Sequence, residues 1–314
     1  MNINNICNKI SLKIKKSEYN KLITKSTNLA ILLSTTLLLL KLLAWWGTKS
    51  ISMLTASVDS LIDIASSTIN LLIIYYSLQP ADSEHTFGHG KAESLSALAQ
   101  SIFICGTAIF LFLNSIYYIY HPVKIYYPII GIFVIIISFL LTLILVIFQK
   151  KVIKKTNSQA THADMIHYES DILINTAILL ALILNIFNVK QADSLIALII
   201  SIFIFYNSFK VGYKAIQSLL DRSLPDNEKK IIIDLIKFWP KVKGAHLLKT
   251  RQSGPTRFIQ LHLVLEDNLP LLESHSIAKK IENALHKKFP YSDIIIHQDP
   301  YSIVSKKYKG FFKK

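Results

Sequence analysis

The chain has 314 residues, of which 51% are hydrophobic, and carries a formal net charge of +15 at pH 7. Its mean hydropathy of +0.39 excludes a disordered basic tail and argues against a nucleic-acid-binding protein, because the apolar residues gather in runs long enough to cross a bilayer. The excess of lysine is read first as a topology signal and as attraction to anionic lipid.

Six spans are predicted in chain order, at about residues 24–46, 51–79, 94–120, 127–149, 164–188 and 191–215. The first holds ILLSTTLLLLKLLAWW, in which Lys41 is expected to snorkel and Trp45 and Trp46 to mark an interface. Lysines at 9, 13, 15, 16, 21 and 25 precede or begin this span, and Lys150, Lys151, Lys154 and Lys155 follow the fourth. The alternate loops hold only Lys49, Lys124 and Lys190. Both termini are therefore expected in the cytoplasm. No small-residue cleavage site follows the amphipathic leader, so it is expected to be retained.

The second span reads MLTASVDSLIDIASSTIN from Met53, and places Asp59 and Asp63 four residues apart on one helical face. The fifth repeats the device with His167 and Asp171. Ionised groups at this depth are costly and usually functional. Two helices, each offering a pair of ligands, would make a four-ligand site of mixed oxygen and nitrogen donors, suited to tetrahedral zinc and open to ferrous iron, cadmium, cobalt or manganese. The alternative is that these groups are polar contacts inside the bundle or face an aqueous vestibule. Such ligands bind metal only when deprotonated, so proton and metal occupancy compete. That competition is the minimal chemistry of an antiporter with alternating access around one site.

Between the second and third spans, PADSEHTFGHGKAES brings Asp82, His85 and His89 within eight residues, a second candidate metal cluster if the loop curls. Lys91 opens the following helix and could form an ion pair. Cys7 and Cys105 are not spaced as a thiolate site, and a disulfide is not expected.

After about Leu220 the pattern changes to helix, strand, strand, helix, strand, an α+β domain of about 80 residues. Its size favours dimerisation. His246 and His262 fall on successive strands, His275 on the helix, and His297 with Asp299 at i,i+2 on one face of the last strand. They suggest a metal sensor or structural metal centre. His121 and His286 have no partner in the sequence, and His162 lies near the cytoplasmic mouth of the fifth span.

The strings VDSLIDIASS, PADSEHTFGHGKAESLSALAQS, ADMIHYESD, LLDRSLPD, GAHLLKTRQSGPTRFIQLHL and SDIIIHQDP together resemble the cation diffusion facilitator family. The resemblance implies a polytopic α-helical membrane protein with six transmembrane helices and a C-terminal cytoplasmic ferredoxin-like domain. The implied layout is a cytoplasmic leader over 1–23, a transport domain over 24–215, and a linker with a metal-binding dimerisation domain over 216–314. It also implies a homodimer in the bacterial inner membrane that exports Zn2+, with Fe2+ and Cd2+ as further cargo, in exchange for protons. The implied transport ligands are Asp59, Asp63, His167 and Asp171. The loop cluster is Asp82, His85 and His89, and His246, His262, His275, His297 and Asp299 form a binuclear centre with Asp299 bridging. Lys91 and Asp221 match a salt bridge near the dimer interface. A cation channel, an intramembrane metalloenzyme and a metal-sensing membrane protein are the competing classes. The chain lacks a nucleotide-binding motif and an HExxH zinc-hydrolase motif, so no enzyme is expected.

Overall fold

The structure, a computed structural model, describes residues 3–48, 51–121, 129–186, 192–237, 239–307 and 312–313. Lys49, Lys124 and Lys190, on which the orientation reading leans, lie outside these residues, and the side chain of Cys7 is likewise not described. The chain divides into two compact units, the larger covering Glu18–Ile216 and the smaller formed mainly by Gln217–Lys314.

Six long helices follow one another: α1 (Ile3–Thr48), α2 (Ile51–Ser77), α3 (Lys91–Tyr120), α4 (Ile129–Thr156), α5 (Gln159–Ile186) and α6 (Ala192–Leu219). Each contains or closely matches one predicted span. Among the described residues, α1, α2, α3, α4 and α6 are long and apolar enough to cross a bilayer, whereas α5 carries Asp164, Glu169 and Asp171 in its first half. Large apolar side chains such as Leu43, Phe110, Phe133 and Ile199 point outward. Small and medium ones, including Ala30, Ala97, Ala108, Ala163 and Ala215, make the core. That inversion of the soluble pattern is what a bilayer solvent demands, and the chain is a multi-pass membrane protein.

Small residues set how closely the helices approach. A Cβ on Gly212 of α6 would stand 2.6 Å from Ser101 Oγ of α3, so this contact admits only glycine without movement. One turn earlier on α6, Ser208 Oγ meets Cys105 Sγ at 3.2 Å, and Cys105 is a free thiol. The hydroxyls of Thr27, Ser34, Thr35 and Thr36 donate to the carbonyls four residues back, which makes this polar run compatible with an apolar surrounding.

The smaller unit contains α7 (Asp226–Lys237), β1 (Val242–Ser253), β2 (Thr256–Leu265), α8 (Leu271–Lys288), β3 (Ser292–Pro300), α9 (Tyr301–Lys307) and β4 (Phe312–Lys313). The sheet order is β3-β2-β1-β4, with β2 antiparallel to β1 and parallel to β3. Ile259, Leu261, Leu263 and Leu265 alternate along β2 and pack with Ile232 and Ile236 of α7 and Ile281 and Leu285 of α8. Period two meets period 3.6 in one core. Arg257 ties β2 to α7 through both guanidinium edges, Nε to Glu228 Oε2 at 2.8 Å and Nη2 to Oε1 at 3.2 Å. The predicted five elements are present. The structure adds α9 and the two-residue β4, the latter paired with Gly244 and Ala245 at the edge of β1, a strand too short for its sequence to display alternation.

Candidate metal sites

In the membrane unit, α2 and α5 bring three of the four predicted transport ligands together. Asp63, His167 and Asp171 each offer one ligand atom, and these atoms lie within 4.8 Å of one another. His167 Nε2 is 3.2 Å from Asp63 Oδ1 and 3.9 Å from Asp171 Oδ2. The i,i+4 spacing on α5 stacks His167 and Asp171 on one face. Asp59, one turn earlier on α2 than Asp63, is exposed and stands outside this trio.

Residues that sequence reasoning passed over hold the trio in place. The buried Tyr168 hydroxyl lies 2.8 Å from Ser34 Oγ of α1 and 3.0 Å from Ser67 Oγ of α2, and its ring meets the His167 imidazole edge-on. One turn before His167, buried Asp164 accepts a hydrogen bond from Gln149 Nε2 of α4 at 2.7 Å. On the neighbouring α2, Asn70 Oδ1 accepts from Ser96 Oγ of α3 at 2.7 Å. Glu93, buried at the start of α3, accepts from the Gln159 backbone N–H at 2.7 Å and from the Tyr19 hydroxyl at 2.9 Å. It therefore satisfies the N-terminus of the ligand-bearing α5 from another helix. The signal for Tyr168 was its place beside His167. Glu93 and Asp164 gave none, since their partners are far away in the chain. Lys41, expected to snorkel, instead donates from Nζ to Ser60 Oγ at 2.6 Å.

The loop from Leu78 to Gly90 does curl. Asp82 Oδ1 accepts the backbone N–H groups of Glu84 at 3.0 Å and His85 at 2.6 Å, an Asx-type turn. Gly88, at φ +78°, closes it with an N–H to the His85 carbonyl at 2.8 Å. The result places His89 Nε2 3.4 Å from Asp82 Oδ2 and His85 Nδ1 3.7 Å from Asp82 Oδ1. The His85 N–H holds the Asp82 carboxyl below its ordinary range against the opposing cost of desolvation, with the Glu84 N–H and both histidines adding to the effect. An ionised, oriented carboxylate between two imidazoles is a ligand set for a borderline cation.

In the smaller unit, strand register does what sequence spacing could not show. His246 of β1 is directly opposite His262 of β2, and His262 is directly opposite His297 of β3, so three histidines form one rung across three strands. A bulge between His246 and Lys249, with Leu247 at φ +51°, breaks the β1 ladder beside this rung. Asp299, two residues after His297, reaches back across it. Its Oδ2 is 2.8 Å from His262 Nδ1 and 3.0 Å from His246 Nε2, and its Oδ1 is 3.2 Å from His297 Nε2. Burial pushes the Asp299 carboxyl up, yet the hydrogen bonds from His262 and His246 outweigh it and hold the group below the ordinary value. His275 is exposed on α8, whose core face packs against the other side of the sheet. It is not brought to the rung within one chain. Asp221 follows α6 at φ +56° and accepts from Arg251 Nη1 at 3.2 Å. His121 caps α3 with its ring stacked on Tyr117, and His286 lies 3.0 Å from Ser292 Oγ.

The sequence matches the cation efflux transmembrane domain over residues 28–220 and the cytoplasmic domain of cation efflux proteins over residues 224–301. It is 54% identical over 296 residues to the cation-efflux pump FieF of Cronobacter sakazakii, covering 94% of this chain and 99% of that relative. It is 55% identical over 293 residues to the pumps of the same name from Salmonella arizonae and Citrobacter koseri, covering 93% of this chain and 98% of each. Both domains are matched in order and nearly end to end, and the chain belongs to the cation efflux, or cation diffusion facilitator, family of divalent-metal transporters.

Proposed function

We propose that this chain is a zinc/proton antiporter that removes the metal from the cytoplasm at the expense of the proton gradient, with ferrous iron and cadmium as further cargo. The observation that carries the reading is the convergence of Asp63, His167 and Asp171 between α2 and α5. Two carboxylates and an imidazole are a hard-to-borderline donor set for which zinc outranks ferrous iron, and Asp59 supplies the fourth position when α2 turns toward α5. Proton uptake by the same groups expels the ion, which couples the two fluxes without a separate energy source.

In this reading α5 also crosses the bilayer, which brings the crossings to six, its polar half turned inward, and both termini lie in the cytoplasm of a bacterial inner-membrane protein. The cytoplasmic unit is a ferredoxin-like homodimerisation domain. Its donor set fits zinc: His246, His262, His297 and Asp299 offer nitrogen and oxygen ligands on one face, and a carboxylate with both oxygens engaged can bridge two ions. His275 joins as a further ligand once the dimer is assembled. Asp82, His85 and His89 form a separate loading or regulatory site, and Lys91 with Asp221 forms an ion pair of the assembled dimer. The cytoplasmic leader, transport domain and dimerisation domain take the boundaries 1–23, 24–215 and 216–314.

Proteoliposomes with an imposed pH difference test the reading. Zinc and protons moving in opposite directions, each stopped by removal of the other, support antiport. Metal flux that ignores the proton supply marks a channel, and metal binding without flux marks a sensor.

A further inference from the structure

Lys41 is the residue whose place departs most from what its sequence context suggests. A lysine near the end of a span ordinarily runs its ammonium out to the headgroups. Here Nζ crosses from α1 to α2 and rests 2.6 Å from the hydroxyl of Ser60, a buried residue adjacent to Asp59. Ser60 follows Asp59 directly and precedes Asp63 by three residues, so this hydrogen bond brings the ammonium to the ligand-bearing turn of α2. A serine hydroxyl alone does not compensate a cation at this depth, so the nearby acids are what makes the position tolerable. Asp59, in turn, is the predicted ligand that stands outside the trio of Asp63, His167 and Asp171.

We propose that Lys41 is a tethered counter-cation of the transport site, a positioning residue that holds Asp59 in the field of its ammonium and competes with the incoming divalent ion for that carboxylate. The inference rests on the proposal that Asp59, Asp63, His167 and Asp171 bind the transported ion, and adds a built-in rival to it. Metal entry displaces the ammonium as Asp59 swings to the ion. Metal exit is assisted by its return. The arrangement favours a divalent over a monovalent cation, because one positive charge arriving cannot outbid one already present. It also keeps binding weak enough for release, as a carrier requires.

At an effective dielectric of about 20, a unit positive charge even about 10 Å from a divalent ion repels it by about 3 kcal/mol before screening, enough to change affinity by roughly tenfold or more. In zinc-driven proton flux from proteoliposomes, Lys41→Gln should therefore lower the KM for zinc about tenfold and lower kcat as release slows. Lys41→Arg, which keeps the charge, should restore both to within about threefold of the unaltered chain. An unchanged or raised KM in Lys41→Gln overturns the proposal. So does a Lys41→Arg protein that shifts as far as Lys41→Gln, since that marks a packing role.

The Asp171→Ala protein in matched vesicles separates the two layers. Continued flux in it defeats the ligand assignment itself. Its silence beside an unmoved KM in Lys41→Gln defeats the counter-cation alone. Should Lys41→Gln fail to assemble, the unaltered chain answers by acetylation of Lys41 with acetic anhydride, read by mass spectrometry with and without saturating zinc. Displacement predicts a severalfold rise in labelling with zinc, and equal labelling overturns the proposal.

Discussion

His167 Nε2 on α5 faces two carboxylates at once, Asp63 Oδ1 of α2 at 3.2 Å and Asp171 Oδ2 of its own helix at 3.9 Å. One ring nitrogen carries at most one proton, so it can donate to only one of these acceptors. A divalent ion between the three groups satisfies all of them. A single charge-neutral substitution tests this relation: Asp63→Asn should cut zinc-driven flux by roughly 100-fold or more. Loss of a charged ligand is worth at least as much as loss of an outer-shell partner, which costs about 10- to 100-fold. The proposed dimer should persist on size-exclusion chromatography.

Tyr168 ties that site to α1. Its hydroxyl shares contacts with Ser34 and Ser67, and Tyr168→Phe leaves those two serines without it while keeping the ring against His167. Ser34 retains its bond to the Ala30 carbonyl, so the net loss should be about 1 kcal/mol. That corresponds to a fall of about 2–4 °C in thermal midpoint in detergent for a chain of this size. Zinc should still be transported. An unchanged midpoint would show that the hydroxyl carries no tie between the helices.

The approach of α6 to α3 makes a second packing prediction. Gly212→Ala sets a methyl 2.6 Å from Ser101 Oγ and 3.3 Å from Ser101 Cβ, and should cost about 1–3 kcal/mol as overpacking. Adding Ser101→Ala removes the closer atom, so the double variant should regain most of the lost midpoint. Additive losses in the double variant would contradict the contact.

Acid should expose the Asp299 anchor of the histidine rung. Its carboxyl is held below the ordinary value of 3.8, so in the folded state it binds its proton later than in the unfolded chain. The stabilisation is present above that value and is lost as pH falls through the lower folded one. In metal-free protein, the difference in thermal stability between the parent and Asp299→Asn should be largest at neutral pH, about 1–3 kcal/mol for hydrogen bonds to a charged group. It should shrink below about pH 4. A difference that grows on acidification would reverse the sign and refute the assignment. Zinc added at pH 7 should stabilise the parent more than the variant.

Periodicity was enough to read much of this molecule. Runs of apolar residues marked all six long helices, and of the i,i+4 pairs at 59/63 and 167/171 the structure gathers Asp63, His167 and Asp171 while Asp59 stands apart. His297 and Asp299 were legible as one strand face because strand period is fixed at two. The rung itself was not. Pairing His246 with His262 depends on the bulge at Leu247, and bulges are set by tertiary geometry rather than by local propensity. Glu93 was equally silent in sequence, looking like an ordinary acidic residue in a helix's first turn. Its partners, Tyr19 and the N-terminus of α5, are brought to it only by the bundle. Lys41 was misread for the same reason, because hydropathy cannot say whether a lysine turns to the headgroups or to a neighbouring helix.

The most direct test is uptake of zinc, ferrous iron, cadmium and manganese into pH-controlled proteoliposomes, recorded with internal proton release for the intact chain and for Asp171→Ala. The intact chain should move zinc most readily, with protons in the opposite direction, and Asp171→Ala should do neither while remaining a dimer. Undiminished, proton-coupled zinc transport by Asp171→Ala would contradict a metal site shared between α2 and α5.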